Sequence, residues 1–78
     1  MERYVNLGGD SGVVGYEIGA DFIWVHFSKY KYQYTYASAG PDNIEHMKEL
    51  AKRGRGLNAF VIKNVRKKYA QKVLRRAT

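Results

Sequence analysis

The chain contains no cysteine, so neither a disulfide framework nor a thiolate metal site can supplement its core. A reducing, cytoplasmic setting is the default expectation for such a chain. No apolar run approaches the length of a membrane span or of a signal-peptide core, so no membrane association is expected. Clustered metal ligands are missing too. His26 and His46 fall on separate elements, with no His, Cys and carboxylate group at ligand spacing. Ser11 and Ser38 have no nearby base to make either a nucleophile. No cofactor, no metal and no catalysis are therefore expected. Asp42, Glu45 and Glu49 crowd one helix at a spacing able to hold a cation, but stabilisation of the helix dipole explains the first two more simply.

The acids are also missing from one end. Residues 50–78 hold ten basic residues and no acid, or +10, whereas residues 1–49 hold four basic residues and all seven acids, or −3. Segregation of this kind points to a polyanionic partner more than the net +7 alone does, the bland alternative being a solvated face that aids solubility. At 78 residues the chain is one small domain, and its 45% hydrophobic residues suffice for a compact core.

What is present reads as strands followed by helices. Arg3–Leu7 has the makings of a short edge strand, but the glycines at 8, 9 and 12 argue for irregular chain. Val14, Tyr16 and Ile18 alternate with Gly15 and Glu17, Gly19-Ala20-Asp21 makes a turn, and Phe22–Phe27 is a dense aromatic and β-branched strand. Tyr30–Tyr36 then sets four of the seven tyrosines at every second position. From Ala37 the period becomes helical. Pro41 suits the first helical position, Asp42 and Glu45 the first turn, and Lys52-Arg53-Gly54 a C-terminus. A second helix starts near Leu57 or Asn58, with Leu57, Phe60, Val61, Val65 and Tyr69 as its apolar stripe. At Lys68 that stripe inverts, so the helix must run past the body, bend or fray. The expected fold is α+β, a three-stranded antiparallel meander followed by two helices packed on one sheet face. Residues 11–69 form its core and 70–78 a basic extension contributing little to folding.

The parity of the second hairpin decides which way the tyrosines face. With an even loop all four share a face with Ile23, Val25 and Phe27, leaving Trp24 and His26 opposite with Lys31, Gln33 and Thr35. An odd loop reverses this. The binary pattern favours the even loop, because it groups apolar with apolar. The tyrosines then form a wall beneath the helices, and Trp24, His26, Lys31 and Gln33 an open face suited to stacking on bases.

In this order and spacing the chain resembles the KTSC domain, a small bacterial family also found at the C-terminus of some lysyl-tRNA synthetases. Ser11-Gly12-Val13 and Tyr16, the Ile23-x-Val25-x-Phe27 strand, Tyr34-Thr35-Tyr36 before Ala39-Gly40-Pro41, and Gly54-x-Gly56-Leu57-Asn58 with Phe60 carry the resemblance. It spans roughly residues 11–70. The second hairpin lacks the family's common glycine, and Tyr30 and Tyr32 lengthen the tyrosine run. The resemblance implies a small α+β domain without established activity, for which RNA binding has been suggested from the synthetase context. It implies a mainly structural part for Tyr34 and Tyr36.

The expected function is therefore a small non-catalytic nucleic-acid-binding module, for RNA or single strands and with low sequence specificity. Arg53, Arg55 and Lys63 are candidate phosphate contacts in the turn and second helix, with Arg66, Lys67 and Lys68 after them. Lys72, Arg75 and Arg76 follow in the basic extension, Trp24 and Lys31 are the candidates on the sheet, and stacking is expected from Trp24 or an exposed tyrosine. Gly54-Arg55-Gly56 leading into a helix is a possible seat for one phosphate, against the simpler reading of a helix–helix turn. The competing class is a protein-interaction or accessory module that docks through a sheet edge or the Trp24 face.

Overall fold

Two-residue punctuation at Ser28-Lys29 sets the geometry of the sheet. In a computed structural model, which describes residues 2–7 and 12–75, Phe27 N–H donates to Tyr30 O across that turn at 2.8 Å. The loop is thus even. Ile23 pairs with Tyr34, Val25 with Tyr32, Trp24 with Gln33 and His26 with Lys31. Tyr30, Tyr32 and Tyr34 share the face of Ile23, Val25 and Phe27, as the binary pattern favours, whereas Tyr36 lies beyond the strand.

The strands β1 (Glu2–Arg3), β2 (Gly15–Ile18), β3 (Phe22–His26), β4 (Tyr30–Thr35) and β5 (Gln71–Leu74) form one antiparallel sheet in the order β1-β2-β3-β4-β5. The expected meander is its middle, β2 to β4. Two short strands flank it, which is a correction to the three-stranded reading. On the β1 side, Tyr4 N–H donates to Val14 O at 3.2 Å, so the segment before the glycines does pair, although as a strand of only two residues. Between β2 and β3, Gly19 N–H donates to Phe22 O, and a side chain on Gly19 would run into the Phe22 ring.

The strand character of β4 ends at a capping box. Thr35 Oγ1 accepts from Ser38 N–H at 3.0 Å while Ser38 Oγ accepts from Thr35 N–H at 2.9 Å. This starts a one-turn helix, α1 (Tyr36–Ala39), which was not expected. The tyrosine run is split by it. Tyr34 stays in the sheet and is buried, whereas Tyr36 turns its hydroxyl to donate to Glu45 at 2.6 Å.

Helix α2 (Pro41–Arg53) has Pro41 in its first turn with Asp42, and Lys52 and Arg53 in its last. Glu45 lies one turn further in than the sequence reading put it. It accepts from both Tyr36 and Lys48, and the Lys48 ammonium also donates to Ala20 O at 3.0 Å. That clasp ties α2 to the β2–β3 turn and accounts for a lysine that is only 9% exposed. It also gives Glu45 partners that replace any cation role. Gly54 ends α2 at φ 78°, its N–H donating to Leu50 O and Ala51 O, and a Cβ there would press on Val5.

The second helix is corrected as well. It consists of α3 (Leu57–Phe60) and a π-helical segment (Val61–Val65) whose wider turn keeps Leu57, Val61 and Val65 buried. Lys68 N–H donates to Val65 O at 2.9 Å, the chain reverses, and Ala70 N–H donates to Gln33 O at 2.6 Å. Residues 71–74 therefore pair with β4 as a fifth strand instead of continuing as a free basic extension. The inversion at Lys68 marks the reversal. A strand with no buried residue needs no apolar face.

The core sits between the sheet and the helices. Ile23, Val25 and Tyr34 meet Ile44, Met47, Leu50 and Ala51 of α2, and Leu57, Val61 and Val65 of the following turns. Fully burying such aliphatic side chains stabilises by about 1.5–3 kcal/mol each. Tyr4 and Val13 close one end, where the Tyr4 hydroxyl accepts from Leu57 N–H at 3.3 Å. No described helix is long and apolar enough to cross a membrane.

Candidate nucleic-acid interface

Helix α2 covers the Tyr34 end of β4, and the short helical stretch after it covers less. A cleft of about 360 Å³ is left between the sheet and residues 58–69. Phe27, Tyr30, Tyr32 and Tyr34 form its sheet side, and Asn58, Val61, Ile62, Arg66, Lys67 and Tyr69 the other. The rings are locked against one another. Tyr69 packs edge-on against Tyr32 with centroids 5.0 Å apart, and Phe27 meets Tyr32 at 5.6 Å with planes at 90°. Strand β5 then brings in a cation, because Lys72 pairs with Tyr32 and so shares its face. Its ammonium lies 4.5 Å from the Tyr30 ring centroid and 5.7 Å from that of Tyr32. Among the described residues no acid lines the cleft. Rings, an amide and cations are what it offers a ligand.

Of the cations expected to bind phosphate, Arg66 and Lys67 line the cleft and Lys72 stands over two of its rings. Lys63 and Lys68 are exposed but are not in its lining. Arg53 and Arg55 belong to the end of α2 and the turn after it, where Gly54 O accepts from Leu7 N–H at 2.6 Å. That turn offers no phosphate seat at its first amide, since the Leu57 N–H is taken by the Tyr4 hydroxyl. Arg75 reaches back to donate to Phe27 O at 2.6 Å. Arg76 lies outside the described residues.

Trp24 and Lys31 do lie on the open face, but they engage each other. The Lys31 ammonium is 4.8 Å from the Trp24 ring centroid, so stacking of a base on that side would have to displace it. The same face is otherwise paired internally. Gln71 Nε2 donates to Gln33 Oε1 at 2.9 Å, and His26 Nε2 lies 2.6 Å from Glu17 Oε2. Of the two stacking candidates, Trp24 or an exposed tyrosine, the second is met by Tyr30 and Tyr69, which are 38% and 37% exposed and lie away from the Trp24 face. Sequence reasoning placed Tyr69 at the end of an apolar stripe and Lys72 in an extension. Only the reversal at 66–70 brings both to the Tyr32 ring.

His26 is 6% exposed, and its Nδ1 is buried without a hydrogen-bond partner among the described residues. Burial lowers its pKa from the ordinary 6.5, against the hydrogen bond and charge of Glu17 and with the help of Arg75 and Lys31. A depressed histidine pKa means that the unfolded chain takes the proton first. The associated stability is complete above pH 6.5 and is lost as pH falls from there towards the folded value. Melting temperatures taken from pH 7.5 down to pH ~5.5 should therefore decline below the ordinary histidine pKa. In His26→Gln that portion of the decline should be absent, and parallel curves for the two proteins would contradict it.

Among the described residues no group of three or more His, Cys, Asp or Glu is placed to hold a metal ion. Compared with protein families, curated proteins and solved structures, the chain has no significant match.

Proposed function

We propose that this protein is a small non-catalytic nucleic-acid-binding module, for RNA or single-stranded nucleic acid and with low sequence specificity. The observation that carries this reading is the cleft in which Tyr30, Tyr32 and Tyr69 stand beside Arg66 and Lys67, with Lys72 over two of the rings and no acid among the described residues that line it. Exposed bases stack on such rings, and cations beside them track the phosphates. The +10 charge of residues 50–78 supports the same partner, since it brings a polyanion to this end of the chain first. Membership of the KTSC family and a cytoplasmic setting belong to the same proposal. Asn58, one of the residues that carry the resemblance, also lines the cleft.

The test is the affinity of the full chain for a labelled single-stranded RNA at salt concentrations from ~50 to ~200 mM. Binding at the low end that weakens linearly on a log–log plot is the expected result. If the protein fails to bind at ~50 mM salt, where counterion release favours it most, the nucleic-acid reading is wrong.

A further inference from the structure

Asn58 differs from the other asparagines on the helices. Asn43 Nδ2 donates to Ala39 O at 2.7 Å and Asn64 Nδ2 to Phe60 O at 3.2 Å, so both amides are spent on the turn before them. Asn58 is half-buried and lines the cleft, and its side chain makes no hydrogen bond among the described residues. Two donors and an acceptor are thus left beside a set of rings. From this we propose that the cleft seats one unstacked nucleotide. Its base lies against Tyr30 and Tyr69, its edge hydrogen-bonds the Asn58 amide, and its phosphate lies at Arg66 and Lys67. The proposal rests on the nucleic-acid reading above and assigns the site and the contact that discriminates between bases.

Size and charge both favour this occupant. A volume of about 360 Å³ is near the lower end of small-molecule sites, about 300–1,000 Å³, and matches one nucleotide rather than a duplex. Cations without a facing acid suit a phosphate, and the planar amide of asparagine matches the paired donor and acceptor on a base edge. A single contact of this kind gives a preference at one position and leaves the rest of the strand unread, as expected for a module of low specificity.

The experiment uses the full chain, four short RNA homopolymers, the four nucleoside 5′-monophosphates and inorganic phosphate. One homopolymer should bind at least about fivefold more tightly than the weakest, the lower end expected for a good base-edge contact. Asn58→Ala should bring the strongest down to the level of the others while the salt slope stays as it was. Tyr30→Leu, at a half-exposed ring that carries no core packing, should weaken all four by about fivefold or more. In magnetic resonance titrations the monophosphates should shift the Asn58 side-chain amide and the Tyr30 and Tyr69 rings, and leave the Trp24 indole in place. The seat is overturned if the base preference survives Asn58→Ala, if inorganic phosphate alone gives the same shifts, or if Trp24 moves and Asn58 does not. Each of these results leaves RNA binding standing, whereas no RNA binding at all removes the parent reading and the seat together.

Discussion

Changing Arg66, Lys67 and Lys72 together to glutamine should flatten the log–log salt dependence of single-strand affinity by about two units, at ~0.7 per phosphate contact. The same change should lower affinity on the order of a hundredfold at ~50 mM salt, since released counterions are worth most there. Folding should hardly notice. All three side chains are exposed, and only Lys72 has a recorded role within the fold, over the Tyr30 and Tyr32 rings. Exposed substitutions usually stay within about 0.5 kcal/mol, and an exposed cation–π contact is worth ~0.5–1 kcal/mol. The control carries an equal loss of charge elsewhere, at Arg53, Arg55 and Lys63, none of which lines the cleft. A localised interface loses its slope only in the first variant. Equal flattening in both would mean that the whole basic end attracts the strand and that the cleft has no special part.

The sequence was most informative where one face of an element is buried. Alternation in Ile23-x-Val25-x-Phe27 and Tyr30-x-Tyr32-x-Tyr34 favours the parity that the hairpin adopts, because a shift by one residue would move Lys31 and Gln33 into the core. Pro41 and Gly54 bracket α2 for equally local reasons. Two features were not legible. Strand β5 has Gln71 and Val73 on one side and Lys72 and Leu74 on the other, all exposed, so no periodicity marks it. The apolar stripe that begins at Leu57 left open whether the helix runs past the body, bends or frays. Its inversion at Lys68 was a true signal of an ending, but not of where the chain went next. The cleft was hidden for the same reason. Tyr69 and Lys72 reach Tyr32 only through that reversal, and contacts made by an edge strand depend on pairing rather than on pattern. Thr35-x-x-Ser38 is a weaker capping signature than one ending in Glu or Gln, which is why α1 was missed within a run that otherwise reads as strand.

Deleting residues 70–78 should destabilise the fold, in contrast to what a free basic extension would do. The described part of the segment buries nothing, so the loss is not one of core packing. It lies in the bonds that close the sheet. Ala70 N–H to Gln33 O, Arg75 N–H to Lys29 O and the Arg75 guanidinium to Phe27 O all disappear, along with the Gln71–Gln33 amide pair. At roughly 0.5–1.5 kcal/mol net for each of these four, about 2–6 kcal/mol is at stake. A domain of this size loses about 4–8 °C per kcal/mol, so the melting temperature should fall by roughly 10 °C or more. The deletion also strips the outer side of β4, leaving Tyr30–Gln33 as an open edge beside half-exposed tyrosines. Such an edge is a template for pairing with another chain, so the truncated protein should self-associate more than the full chain does at the same concentration. Thermal melts and size-exclusion chromatography of both proteins at matched concentration test the two consequences together. A melting temperature unchanged to within ~2 °C and an unchanged elution volume would show that β5 contributes nothing to the sheet, returning the segment to the free extension its charge pattern suggests.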